Sequence, residues 1–256
     1  MMESNKKEGN GFMRAILSVK EKIYLTPHYI RMILEGEDLS IFSEARVGDN
    51  NKIIVPQNNM PIDLLHFERS ALRTYTLRNL DLQKNLMTVD FVGHGENGLA
   101  SKWATHAQPG DELGVLMKVR NKALFLSADW YLLAGDHTAL PVISVILESL
   151  PNDAKGKVIL EVHSVEDVMD LQKPEGIEII WKFNNQPGTT STLLAYFKPL
   201  LFSNSGSKFI FAAAESVAIS EIQQILRDTS GLRREEWQAF SYWKYGQAEG
   251  SNLKKK

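Results

Sequence analysis

Arg73, Tyr75 and Thr76 fall within one alternating stretch, Arg73-Thr74-Tyr75-Thr76, which sets an arginine, a phenol and two hydroxyls along a strand. Downstream, Gly93-His94-Gly95-Glu96-Asn97-Gly98 runs into Leu99-Ala100-Ser101-Lys102-Trp103-Ala104, which reads as the first turns of a helix. A strand, a glycine-rich turn and a helix start make an anion site, because the free backbone N–H groups and the positive end of the helix dipole both favour a phosphate. Arg73 adds a planar fork that can take a pyrophosphate through paired hydrogen bonds. Gly93, Gly95 and Gly98 match G-x-G-x-x-G, but the helix stops early at Gln108-Pro109-Gly110-Asp111 and residues 113–119 follow as another strand. The runs RTYTLRN and LMTVDFV read as an antiparallel hairpin, so the parallel unit of the dinucleotide fingerprint is the poorer fit. Taken alone, the glycines also suit a β turn that holds no ligand.

A second set of chemistry-bearing residues lies in the C-terminal half. Gly135-Asp136-His137-Thr138 and Ala213-Ala214-Glu215 each follow an apolar run and precede a helical pattern. Ligands of open α/β sheets bind at such strand ends. Asp136 and Thr138 also suit helix capping, and the two roles are compatible.

The scaffold for these residues can be read from pattern. Residues 12–34 hold two strand-like runs, MRAILSVK and YIRMILEG, separated by Thr26-Pro27; residues 38–42 read as one helical turn, and NKIIVP as a short strand. Short strands at close spacing with turn residues between them predict a small closed or nearly closed antiparallel barrel. Residues 122–129 connect it to a different pattern. There, strands at 130–135, 157–162, 177–183, 208–213 and 237–243 alternate with helices at 138–150, 192–200 and 216–228, as in a parallel sheet with helices packed on it.

The 256 residues are 43% hydrophobic and 23% charged, as in a soluble globular protein, and suffice for two ordinary domains. The lack of cysteine excludes disulfides, cysteine-ligated iron–sulfur clusters and c-type haem, so any electron transfer would need an organic cofactor. A net charge of −2 gives no reason to expect nucleic acid, and an anionic substrate would have to meet a local basic patch. No stretch is long and apolar enough for a membrane helix, and MMESNKKEGN lacks the apolar core of a signal peptide. We therefore expect a cytoplasmic protein with no membrane insertion.

The ordered set R-x-Y-T, H-G-x-x-G-x-A-x-x-W-A, P-G-D, Gly135-Asp136-His137-Thr138-Ala139-Leu140-Pro141, Ala214-Glu215 and Tyr242-Trp243-Lys244-Tyr245-Gly246 runs over nearly the whole chain. It resembles the siderophore-interacting proteins, FAD-dependent ferric-siderophore reductases of the ferredoxin-reductase-like group. The resemblance implies a six-stranded antiparallel flavin barrel in residues 1–125 and an α/β domain like those that bind NAD(P)H in residues 126–256. It implies that Arg73 meets the flavin pyrophosphate while Tyr75 and Thr76 meet the isoalloxazine. His94 would touch the cofactor, and Gly98, Leu99, Ala100 and Ser101 would offer N–H groups to its phosphates. Asp136, Thr138, Ala214, Glu215 and Trp243 would complete the cofactor side, and Lys52 and Lys244 would meet an anionic ferric siderophore. No protein metal ligand is implied. The donor would be NADPH or NADH, with a ferredoxin as alternative, and the protein a monomer. Three positions depart from the family pattern: Leu99 stands where proline is common, His137 where an acidic residue is usual, and Ala214 where glycine is usual. A general flavin-dependent reductase, or a siderophore-binding protein with little turnover, remain the alternative readings.

Overall fold

The computed structural model describes residues 12–57, 61–64, 66, 72–93, 98–202 and 206–247. The chain divides into two compact units, with the division between Lys122 and Ala123.

The first unit is a closed antiparallel barrel of six strands: β1 (Phe12–Thr26), β2 (Tyr29–Glu35), β3 (Asn50–Ile54), β4 (Leu72–Asp81), β5 (Leu86–Val92) and β6 (Glu112–Lys118). Their order around the barrel is β1-β2-β5-β4-β3-β6. The two runs expected in residues 12–34 are both present, but the first continues to Thr26, beyond the end of MRAILSVK at Lys20. That length closes the barrel. Phe12 to Ser18 pair with β6, and Ser18 to Thr26 pair with β2 across an irregularity between Val19 and Glu21. Inward rows such as Met13, Ala15, Leu17 and Val19, or Ile30, Met32 and Leu34, are buried and form one core. Each large side chain so buried contributes about 1.5–3 kcal/mol. The β4–β5 hairpin turns at Asn85, whose φ of 52° is in the left-handed region. Its carboxamide accepts the Leu39 N–H at 3.1 Å and donates to the Glu37 carbonyl at 3.3 Å, which ties the 3-10 turn Ser40–Phe42 to the hairpin. On the outer wall Asp90 is buried and takes a bidentate pair from Arg31, both contacts 2.8 Å, with Arg78 Nε at 3.8 Å. Burial, reinforced by the Asp90 charge, pushes the Tyr29 phenol well above its usual value.

Among the described residues, one α-helix, α1 (Leu99–His106), belongs to the barrel unit. Its Leu99, Ala100, Trp103 and Ala104 pack on the barrel core.

The second unit is a five-stranded parallel sheet. Its strands are β7 (Trp130–Asp136), β8 (Gly156–Val162), β9 (Ile177–Phe183), β10 (Lys208–Glu215) and β11 (Trp237–Trp243), in the order β11-β10-β7-β8-β9. α2 (Leu140–Ser149) follows β7, α3 (Leu193–Leu200) follows β9 and α4 (Ser216–Asp228) follows β10. Leu193 and Phe197 of α3 and Ile219, Ile222 and Leu226 of α4 share one core with the sheet. The chain steps from β7 to β8 and β9, then returns to the other side of β7 for β10 and β11, and right-handed crossovers therefore put α2 on the opposite face. The helix expected from Thr138 begins instead as a 3-10 turn, His137–Ala139, with Pro141 in the first turn of α2.

Gly135 sets how closely this helix can approach. A Cβ at that position would lie 2.4 Å from Ala139 Cβ and 2.9 Å from the Ala213 carbonyl oxygen. Gly135→Ala is therefore expected to destabilise the protein by about 1–3 kcal/mol, read as a lower urea midpoint; an unchanged midpoint would mean that the helix start yields freely.

Candidate functional site

On β4, Arg73, Tyr75 and Leu77 share the core-facing row: Arg73 pairs across with Ile53 and Tyr75 with Asn51. Thr74 and Thr76 point the other way, and Thr76 is buried. Tyr75 packs against Phe91 of β5 with ring centroids 4.4 Å apart, and Phe91 meets Trp103 of α1 at 6.0 Å. This aromatic series joins β4, β5 and α1, so the helix start is held in fixed relation to Tyr75. Gly98 precedes α1 in an extended conformation and gives no side-chain cap. The first i→i−4 bond runs from Lys102 N–H to the Gly98 carbonyl at 2.7 Å, which leaves the N–H groups of Leu99, Ala100 and Ser101 outside the helical ladder. A helix start so arranged attracts an anion.

Asn51 is a residue that pattern reasoning missed. It is 1% exposed, stands between Tyr75 and Met117 in the inward row of β3, and neither atom of its carboxamide has a hydrogen-bond partner among the described residues. The available signal was a polar residue in the inward register of NKIIVP, two places before Ile53.

In the sheet unit the residues singled out by sequence come together at the carboxyl ends of the strands. Asp136, the last residue of β7, accepts from Thr138 N–H at 2.9 Å and Thr138 Oγ1 at 2.5 Å. It also accepts from Glu215 N–H at 3.0 Å and from Trp243 Nε1 at 2.7 Å. Burial pushes its carboxyl above the usual carboxylate range despite these bonds, and the charge of Glu161 adds to the rise. Glu215 ends β10, just after the buried Ala214, and caps α4. Burial alone would raise its carboxyl, but bonds from Val217 N–H, Tyr245 N–H and Ser216 together hold it below the usual range. Glu161, on β8 beside Asp136, was also missed. It is buried and bound by Asn184 Nδ2 at 2.9 Å, Thr192 Oγ1 at 2.8 Å and Ser191 Oγ at 3.2 Å. Its trace in the sequence is the one charge in the apolar run VILEV. His137 Nε2 lies 3.9 Å from the buried Asp167.

Lys52 belongs to the barrel unit, on the outer face of β3, where its ammonium donates to Thr74 Oγ1. Lys244 belongs to the sheet unit and is exposed just after β11. His94 lies outside the described residues. No described helix is long and apolar enough to cross a membrane.

Two family models match the chain: "Siderophore-interacting FAD-binding domain" over residues 18–118 and "Siderophore-interacting protein" over residues 128–246. A ferric vibriobactin reductase of Vibrio cholerae is 33% identical over 246 residues, covering 91% of this chain and 90% of its own. The crystal structure of a siderophore utilization protein from T. fusca superposes with a TM-score of 0.82 at 31% identity, covering 94% of this chain and 96% of that one. A ferredoxin-NADP+ reductase from Plasmodium falciparum shares the fold at 12% identity, with a TM-score of 0.62 over 90% of this chain and 97% of that one.

Replacing Asn51 by leucine removes two unsatisfied buried polar atoms while keeping the branched shape and the number of side-chain heavy atoms. Asn51→Leu is expected to stabilise the flavin-free protein by about 1–3 kcal/mol, seen as a raised urea midpoint. A lowered midpoint would mean that the carboxamide has partners after all.

Proposed function

Because the chain belongs to the siderophore-interacting protein family, we propose that it is an FAD-dependent reductase of ferric siderophores. The observation that carries this reading is the uncapped start of α1, held by the Tyr75–Phe91–Trp103 series next to the strand that bears Arg73. These residues fit the cofactor. The N–H groups of Leu99, Ala100 and Ser101 suit a pyrophosphate, and Arg73 can add charge-assisted bonds to it. Tyr75 offers a ring, and Asn51 beside it offers a donor and an acceptor with no partner within the described barrel. Thr76, buried on the other face of β4, serves through its main chain. His94 joins this set on the family resemblance alone.

When bound, FAD supplies the chemistry of accepting a hydride and giving up electrons singly, and each chelated Fe(III) takes one electron to become Fe(II). The chelator provides the iron ligands, so the protein's own side chains have three tasks. The barrel orients the cofactor through its phosphates. The aromatic packing of Tyr75 on Phe91 keeps water from one side of the ring. Lys52 and Lys244 supply local positive charge that draws an anionic ferric chelate to a protein of net negative charge. Ferrous iron is bound far less tightly by such chelators and is released. Two donors suit this role, a nicotinamide dinucleotide or an iron–sulfur protein of the ferredoxin kind.

Arg73→Ala should weaken FAD binding roughly ten- to a hundredfold, the worth of about 1.5–3 kcal/mol for a charge-assisted bond. Flavin content after gel filtration measures it, and wild-type content would remove Arg73 from the pyrophosphate site. The reaction itself is tested by reducing the FAD-loaded protein with dithionite under anaerobic conditions and adding a ferric siderophore. The oxidised flavin bands should return and Fe(II) appear, more slowly with Lys52→Ala or Lys244→Ala. Bands that stay bleached in the wild-type protein would overturn the assignment.

A further inference from the structure

The order of the parallel sheet reverses between β7 and β10, and the crevice outside the carboxyl ends of those two strands is the switch point. In dinucleotide-binding sheets of this kind that crevice takes a pyrophosphate, on free N–H groups of a helix start and beside glycines that let the backbone come close. In this chain several of those donors are already engaged by carboxylates. Asp136 Oδ1 accepts the Thr138 N–H and hydroxyl, while Oδ2 accepts the Glu215 N–H from β10 and Trp243 Nε1 from β11. One carboxylate therefore spans the crevice. At the start of α4, Glu215 takes the Val217 N–H at 2.6 Å, the Ser216 hydroxyl at 2.9 Å and the Tyr245 N–H at 3.1 Å.

Gly135 opens no approach for a ligand, because the space of its absent side chain is taken by Ala139. At the end of β10, Ala214 is buried and carries a methyl group. On the next strand Glu161 sets a third buried carboxylate against Thr192, at the start of α3. Lys182, opposite Glu161 on β9, has its ammonium 3.5 Å from the centroid of the Tyr196 ring. The carboxylates do not make a metal site: among the described residues no group of three or more His, Asp or Glu is placed to hold an ion. The start of α1 in the barrel unit has no side-chain cap from its N-cap residue, Gly98.

We infer that the carboxyl edge of this sheet is closed to a dinucleotide pyrophosphate by the chain's own Asp136, Glu215 and Glu161, and that the flavin's reductant is one that needs no diphosphate seat there. The inference rests on the flavoprotein reading above. It makes these three carboxylates determinants of donor specificity, acting by filling the donors and by repelling a second anion. A nicotinamide donor would then gain nothing from its adenylate half.

The full-length, FAD-loaded protein decides this in two arms. Calorimetric titration with NAD+, NADP+ and ADP-ribose should show no saturable binding below the millimolar range. NADPH, NADH and reduced nicotinamide mononucleotide, at equal concentration, should bleach the flavin at rates within about twofold of one another, or all fail to bleach it. A dissociation constant below about 0.1 mM, or a dinucleotide at least about tenfold faster than the mononucleotide, would overturn the inference. Asp136→Gly frees the Thr138 and Glu215 N–H groups and should tighten ADP-ribose about tenfold or more; if that variant does not fold, the wild-type titrations still decide. Reoxidation of dithionite-reduced flavin by a ferric siderophore is independent of the donor, so failure of the reductase reading stays distinguishable from failure of this one.

Discussion

The carboxylate of Asp136 ties the sheet unit together. Three strands end at it: β7 through its own backbone, β10 through the Glu215 N–H and β11 through the Trp243 indole. A buried anion is costly unless its lone pairs are filled, and here four donors fill them. The cost that remains is visible in the upward displacement of its carboxyl. The same bonds anchor the segment after β11. Trp243 is held by Asp136 and Tyr245 by Glu215, so Lys244, between them, is carried on a backbone fixed at both sides.

The barrel unit is organised by the opposite choice. Its helix α1 begins without a side-chain cap, at a glycine, and is placed by aromatic packing and by bonds from Lys22 and Tyr24 to the Thr105 carbonyl near its other end. An uncapped start costs some stability in isolation, and here Trp103 and Ala104 compensate by packing on the barrel core. The two units thus treat helix starts differently: carboxylates cap them at the sheet edge, and Gly98 offers α1 no side chain. That contrast supports the proposed seat for a phosphate-bearing cofactor in the barrel unit and the inference that the sheet edge offers no second one.

Much of this was legible in the residues because it is local. Alternation placed Arg73 and Tyr75 on one face, the 3.6-residue rhythm delimited α4, and the strands of the sheet follow their apolar runs closely. The length of β1 was not legible, since Glu21, Lys22 and Tyr24 lie outside the apolar alternation of MRAILSVK and are strand only because β2 pairs with this segment. Asp136 was read as a helix cap and a cofactor contact, and its role in joining three strands was not legible because one partner, Trp243, is 107 residues away. Asn51, Asp90 and Glu161 were passed over for a shared reason. Each is a polar residue inside a strand pattern, and nothing in a strand pattern tells whether the partner that justifies its burial is present. Asp90 has Arg31 and Arg78, Glu161 has Asn184 and Thr192, and Asn51 has no described partner.

The closure of the barrel by β1 bears on how the two units meet partial unfolding. A closed barrel presents no row of unpaired amides, so it gives a neighbouring chain no template on which to add a strand. The parallel sheet ends at β9 and β11, and both edges carry a large exposed aromatic, Phe183 on one and Phe240 on the other. Glu178 and Lys182 punctuate β9 with charge, in the manner of edge strands that resist self-association. β11, reading WQAFSYW, has no charge at all along its length. Loosening of the sheet unit would therefore open the β11 side first to intermolecular pairing, while the barrel would stay inert as a seed for aggregation.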